Sequence, residues 1–413
     1  MLLTYLLARG GVPVTLLEAP GDFDRRFRGD TLAPPVLDYL DALGLAEPLL
    51  AAVPHARADA FRWHTPSRTY TLADYRWASR RFGYYALIPQ ARFLPWLARR
   101  AEQHGARILM GARFRTLLRD ADDRVCGVEY THAGAAQQLT ADVVIGADGR
   151  SSKVRHASRL VATELGANLD ILWYAVPRRP DDPDLSGLDL FAAPGTTVVL
   201  LGQEDSWQVG YDIPAGTLPE VRARGLAPII DAITRVAPWL GDRLDTLTDL
   251  NQLTLLPVRI TRLDRWTEPG LLLIGDAAHV ISPVGGNGIN FALADAAEAA
   301  NQLLDPLRAD PVDPGRIDAA AHRVEVRRRP PIDREQASQL RIEKDSADRL
   351  RRGDPRPAGF LQLVATIPGL PRLIGRQTRK LRLPAPVPTI LDRPALSPPG
   401  RRQGSAALGG EGL

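Results

Sequence analysis

One cysteine, Cys126, serves all 413 residues. A lone thiol forms no internal disulfide, so the fold must close on its own core, and a reducing, cytoplasmic compartment is expected. The seven histidines, at 55, 64, 104, 132, 156, 279 and 322, are scattered without the paired spacing of metal ligands, so no metal site is expected. No GxSxG elbow occurs, which argues against a serine hydrolase of the α/β type. No apolar run approaches the roughly 18 residues of a membrane span. Charge of one sign is also scarce. A formal net charge of +4 is small for this length, and most basic residues lie in surface-like stretches, so no nucleic-acid partner is expected.

What is present reads as a globular enzyme. Apolar content of 45% and charged content of 24% are ordinary, and the length suits two or three interleaved units. Residues 1–8, MLLTYLLA, resemble the apolar core of a signal peptide, but lack a basic lead and a small-residue cleavage site. They read as a helix ending at Arg9-Gly10-Gly11 and packing on a sheet. Residues 12–18, VPVTLLE, follow as a strand closing on an acid. Helix, glycine turn and acid-terminated strand make the second half of a βαβ nucleotide unit, in which Glu18 would meet ribose hydroxyls. An ordinary hairpin with a chance Glu18 is the alternative. The first half, a strand with GxGxxG, is missing. In that fingerprint the acid trails the glycines by about 20 residues, which puts the last glycine at or just before Met1.

Further along, Arg25, Arg26 and Arg28 stand open between phosphate contact and plain solvation. Residues 60–75 alternate like strands, and residues 88–105 read as a helix with Gln90 or Arg92 at its start. Residues 106–130 read as two or three short strands. ADVVIGADG, 141–149, is a buried strand ending at Asp148, which suits either ligand hydroxyls or the capping of a turn; Ser151-Ser152 then offers an N-cap. From residue 170 the chain reads as a mostly antiparallel sheet, with strands at 171–176, 196–201, 206–213 and 252–260 and a helical segment at 218–239. Trp173, Trp207 and Tyr211 suit either a pocket wall or the core. Residues 316–352 read as a charged, solvated helical segment interrupted at Pro330-Pro331, and the tail from 383 as disordered.

The stretch 271–290, LLLIGDAAHVISPVGGNGIN, binds these pieces together. An apolar strand ends at Asp276, and a Pro/Gly-rich turn opens an Ala-rich helix. Asp276 can accept hydrogen bonds from sugar-like hydroxyls, and free N–H groups near Gly286, Asn287 and Gly288 can meet negative charge, aided by the helix dipole. An ordinary strand–turn–helix is the plain alternative.

In this order, Glu18, Gln90, ADVVIGADGR and the Gly-Asp-Ala-Ala-His segment with Pro283 and Gly285-Gly286-Asn287-Gly288 resemble the class A flavoprotein monooxygenases, the p-hydroxybenzoate hydroxylase-like family. The resemblance runs from Met1 to about residue 307. It implies a Rossmann-like α/β FAD-binding domain, without its first strand, at 1–59, 84–168 and 258–307. It also implies a mostly antiparallel substrate domain at 60–83 and 169–257, a C-terminal helical segment at 308–382 and a disordered tail at 383–413.

By the same resemblance Glu18 would bind the adenosine ribose, Arg28 and Gln90 the diphosphate and ribityl region, and Asp276 the ribityl chain. Pro283 would lie beside the isoalloxazine and residues 286–288 at its pyrimidine edge, while Asp148 belongs to a motif tied to FAD and NAD(P)H. The implied activity is NAD(P)H-consuming hydroxylation of an aromatic or polyketide-like molecule through a flavin C4a-hydroperoxide, by a monomer or homodimer. The cofactor carries the hard step, so no catalytic acid or base is assigned. Alternatives on the same scaffold are a flavin-dependent reductase of a prenyl-type lipid and an inactive truncated flavoprotein. For the absent GxGxxG, the expectation is a late-placed start: DNA upstream of Met1 should encode a hydrophobic strand and the glycine loop.

Overall fold

The computed structural model describes residues 1–23, 30–166, 168–283, 285–381 and 383–392. The first helix, Leu2–Arg9, is buried along its whole length. It packs between the helices Gln90–Gln103 and Gly288–Arg308, which explains why MLLTYLLA has no polar face. Strand Thr15–Glu18 pairs in parallel with Arg107–Met110, Glu18 facing Met110. Strand Val144–Gly146 pairs in parallel with Leu271–Leu273, which Thr267–Glu268 flanks antiparallel. These two parallel fragments form separate sheets. Residues 14–18 and 143–145 border one cavity, and among the described residues no strand joins the two fragments. The expected mixed α/β architecture with a C-terminal helical segment is present.

The largest sheet has seven strands, in the order Thr254–Pro257, Leu169–Pro177, Ser206–Pro214, Thr196–Gly202, Gly187–Ala193, Ala60–His64 and Thr69–Asp74. Only the Gly187–Ala193 and Ala60–His64 pair is parallel. Period-two alternation sorts its side chains. Leu172, Val198, Leu200, Trp207 and Val209 pack with Ile229 and Ile233 of helix Ala227–Val236 on one face. Ile171 and Trp173, with Val199 and Leu201 against them, turn to the other. Gly187–Ala193 was not recognised from the sequence.

The C-terminal helices depart from expectation twice. Helix Pro314–Arg352 runs 39 residues straight through Pro330-Pro331. A mid-helix proline removes a hydrogen bond and crowds the preceding turn, at a cost of ~3 kcal/mol. Tertiary burial offsets this here: Ile317, Ala320, Val324 and Ile332 are buried in the main core. Nor is the helix simply a solvated face. Glu325, Arg328, Gln336, Gln339 and Glu343 are buried, and Glu325 Oε2 accepts from Trp266 N at 3.0 Å. The tail expected to be disordered from 383 begins in contact: Asn301 Nδ2 donates to Ala385 O at 2.8 Å, and Ile390 is fully buried. Residues 393–413 lie outside the described residues. No helix among the described residues is long and apolar enough to cross a membrane.

Candidate active site

A cavity of ≈ 2920 Å³ runs between the parallel fragments, the seven-stranded sheet and helix Pro314–Arg352. A single small-ligand pocket takes about 300–1,000 Å³, so this space has room for a dinucleotide and a second molecule. Glu18, Gln90, Asp148, Asp276, Pro283, Gly286, Asn287 and Gly288 all line it. Arg28, the remaining expected site residue, lies outside the described residues.

The stretch 271–290 builds the central wall. Leu271–Leu273 is fully buried and turns at Gly275, whose φ of +59 suits glycine. Beyond the turn, Asp276 is half-buried, and its carboxylate accepts from Arg150 Nε at 3.2 Å. Gly286 also has a positive φ, +66, and a Cβ there would stand 2.6 Å from Thr31 Oγ1. That close approach is held by a small network. Thr31 Oγ1 donates to Gly286 O at 2.7 Å, and buried Asn290 donates to Thr31 O and Gly286 O while accepting from Ala33 N. One expectation needs correction: the Gly286 N–H is not free, because it closes a turn onto Pro283 O at 2.9 Å.

The 21-residue helix Gly288–Arg308 starts immediately after, and its N-cap, Asn287, makes no side-chain capping bond. The first-turn N–H groups of Gly288 and Ile289 have no intrahelical carbonyl, and both residues line the cavity. Such an end attracts negative charge.

Asp148 is engaged as a cap. Its carboxylate accepts from Ser152 Oγ, Lys153 N (2.7 Å) and Val154 N (3.1 Å), while Ser152 caps Lys153–Ala157 by accepting from Arg155 N. Gln90 opens helix Gln90–Gln103, and its N–H donates to Asp30 Oδ1 at 3.3 Å.

Two carboxylates that sequence reasoning passed over hold this wall in place. Asp295 is fully buried on helix Gly288–Arg308 and accepts from Gly275 N (3.0 Å), His279 Nε2 (2.6 Å) and Arg328 Nε (2.7 Å). An acid inside an Ala-rich helix was the available signal. Asp30 is buried between the start of helix Gln90–Gln103 and the large sheet. It accepts from Gln203 Nε2 at 2.8 Å and from Gln208 Nε2, and burial pushes its carboxyl up to about 6 against those hydrogen bonds. Nothing local in the sequence marks Asp30.

The sheet wall is largely apolar, with Trp63, Ile171, Trp173, Leu190, Val199 and Leu201 lining the cavity and Gln208 and Asp212 among its polar groups. Of the three aromatics considered from sequence, Trp173 is on this wall. Trp207 is in the far-side core, donating Nε1 to Asp182 at 2.7 Å, and Tyr211 lines a separate outer cleft. The Asp276 turn, the Gly286 approach and the uncapped helix start fit the flavin end of FAD. Beside Glu18 the wall is strand backbone, with no glycine-rich loop among the described residues.

Comparison with known proteins identifies the family and the fold. The family model described as FAD binding domain matches residues 1–329. The chain is 32% identical over 341 residues to 6-methylpretetramide 4-monooxygenase from Streptomyces rimosus, covering 80% of this chain and 78% of that protein. It is 27% identical over 351 residues to protoasukamycin 4-monooxygenase from Streptomyces nodosus subsp. asukaensis, covering 82% and 83%. Among solved structures, p-nitrophenol 4-monooxygenase PnpA from Pseudomonas putida DLL-E4 has the same fold, with a TM-score of 0.73 at 20% identity over 92% of this chain and 95% of that one.

Proposed function

The chain belongs to the FAD-binding-domain family, an FAD-dependent oxidoreductase, and from that premise we propose that it hydroxylates an aromatic or polyketide-like small molecule, with NADH or NADPH as reductant. The observation that carries this reading is one continuous cavity whose walls are the glycine turn at 285–288 and an apolar sheet face. The first suits the flavin end of a dinucleotide; the second suits a flat, apolar molecule set against it.

In this reading Glu18 receives the adenosine ribose, and Gln90 lies toward the diphosphate and ribityl region. Asp276 accepts hydrogen bonds from the ribityl chain, and Pro283 borders the ring. The N–H groups of Asn287 and Gly288 would hold the pyrimidine edge of the cofactor, as fixed donors that could meet negative charge there without reorganising. Bound FAD supplies electron transfer from the nicotinamide and the activation of oxygen. The residues of this chain bind, orient and exclude water. Trp173, Val199 and Leu201 give a flat substrate an apolar bed, and helix Pro314–Arg352 borders the far side.

The test starts from the visible spectrum of the purified chain with FAD added. Bound flavin, oxygen-dependent NAD(P)H oxidation stimulated by polycyclic phenols, and a product gaining one atom from labelled oxygen support the reading. Alkene reduction without oxygen uptake would move it to a prenyl-lipid reductase, and a folded chain that takes up no flavin would refute it. Removing one charge-assisted acceptor is worth about 1.5–3 kcal/mol. Asp276→Ala should therefore weaken FAD binding by about tenfold or more, read by fluorescence titration.

A further inference from the structure

The carboxylates around the cavity are mostly occupied. Asp30 is held by Gln203 and Gln208, Asp148 by Ser152 and Lys153, and Asp276 by Arg150. Asp212 differs. It lies on strand Ser206–Pro214, and among the described residues no hydrogen bond engages its carboxylate. It also borders two spaces at once. One is the large cavity; the other is an outer cleft of ≈ 230 Å³ whose rim includes Gly195, Arg224 and Arg351, all exposed. Asp212 thus borders both the large cavity and the smaller outer cleft.

The surroundings keep it basic. Burial, and then the charge of Glu343 on helix Pro314–Arg352, push the Asp212 carboxyl up to about 7. Glu343 is itself fully buried, lies against Ser282 and Asn168, and feels the charge of Asp170. Asp170 spends both oxygens on Gly216 N and Val258 N. Tyr211, next in the chain, and Arg224 and Arg351 face the outer cleft.

On the cavity side Asp212 shares its sheet face with Gln208 and Gly210. A Cβ on Gly210 would stand 2.9 Å from the Trp173 ring, so that ring covers the strand between the two polar residues. Four residues of strand span ~13 Å. A flat molecule laid on Trp173 would have Gln208 toward one end and Asp212 toward the other.

We propose that Asp212 is the proton outlet of the hydroxylation site: its carboxylate takes the proton of a phenolic or enolic substrate hydroxyl in the large cavity and passes it to water in the outer cleft. The substrate O–H bond breaks and a carboxyl O–H bond forms. The electron pair stays on the substrate oxygen, so nothing is oxidised or reduced in this step. The resulting phenolate or enolate is the electron-rich form that an electrophilic oxygen attacks. The inference rests on the aromatic-substrate reading above.

The probe is alizarin, a polycyclic phenol whose ionisation is visible, titrated into the full chain with FAD from pH 5 to 9. Wild-type protein should bind the dye with its ionised spectrum already dominant at pH 7. Asp212→Asn should bind within about threefold of wild type, yet hold an ionised fraction at least threefold smaller at that pH. Glu343→Gln, which makes Asp212 a weaker base, should fall between the two. An equally ionised dye in wild type and Asp212→Asn overturns the outlet assignment alone. Failure of wild-type protein to bind the dye overturns the aromatic-substrate reading and the outlet with it. Far-ultraviolet circular dichroism identifies any variant that fails to fold; Glu343→Gln then carries the test, and an unshifted dye spectrum there overturns the outlet.

Discussion

Replacing Asp295 by alanine tests the wall of the site most directly. Its carboxylate meets Gly275 N at 3.0 Å, His279 Nε2 at 2.6 Å and Arg328 Nε at 2.7 Å, and the side chains of Asp295 and Arg328 are 0% and 6% exposed. Removing one partner of such a buried pair leaves a cation without compensation, which costs ~3–5 kcal/mol. Asp295→Ala should therefore lose most of that amount in urea unfolding followed by tryptophan fluorescence, with an unchanged slope. The double variant Asp295→Leu with Arg328→Met removes both charges. It should recover most of the loss, because apolar groups of similar size replace a buried ion pair at little cost.

The two variants should separate stability from cofactor binding. Gly275 N loses its acceptor in both, so the Asp276 turn loosens and FAD affinity should fall in both. The pH dependence has a defined sign. Burial alone raises the Asp295 carboxyl, but the His279 and Arg328 charges outweigh it and hold the group below the usual carboxylate range. A lowered folded-state value means that this stabilisation is present above the unfolded value of about 3.9 and fades as pH falls through the folded one. The gap between wild type and Asp295→Asn should thus persist at pH 5 to 7 and narrow in stronger acid. A loss below about 1 kcal/mol in Asp295→Ala, or a double variant no more stable than the single, would refute the reasoning.

Two other perturbations address the same wall. Gly286→Ala combines a positive φ with a Cβ 2.6 Å from Thr31 Oγ1, so it should cost roughly 1–3 kcal/mol and weaken FAD binding. Adding Thr31→Ala should return part of both, and an unstrained Gly286→Ala with wild-type FAD affinity would sink the close-approach argument. At Asp30 the folded carboxyl is raised to about 6. The folded state therefore binds its proton more tightly than the unfolded state, and Asp30 destabilises increasingly as pH rises from about 4 to 6. That is worth about 3 kcal/mol at pH 7. The stability of wild type relative to Asp30→Asn should decline across that window in urea titrations; a flat difference would contradict it.

Much of the parallel half was readable because its signals are local. The apolar runs of MLLTYLLA and LLLIGDAA are short-range patterns, and Asp276, Gly286 and Gly288 sit where a turn meets a helix start. Spacing alone was enough to carry these residues to one cavity wall. Asp148 shows the limit of that approach. From sequence it suited a ligand or a cap, and only the positions of Ser152 and Lys153 reveal that its oxygens are spent within the turn.

What the sequence by itself determined was most elements of the parallel half and the glycine and acid positions of the turn within 271–290, since these follow from periodicity and backbone preference within a few residues. What only tertiary structure decided was everything that depends on distant partners. Pro330-Pro331 remains inside one helix because burial against the core outweighs a local break. Asp295 and Asp30 become structural pivots only when His279 and Arg328, or Gln203 and Gln208, arrive from other elements. Asp212 gained significance the same way, from a cavity on one side, a cleft on the other and Glu343 nearby. A buried charge is defined by what folds around it, and that information is not local to any stretch of chain.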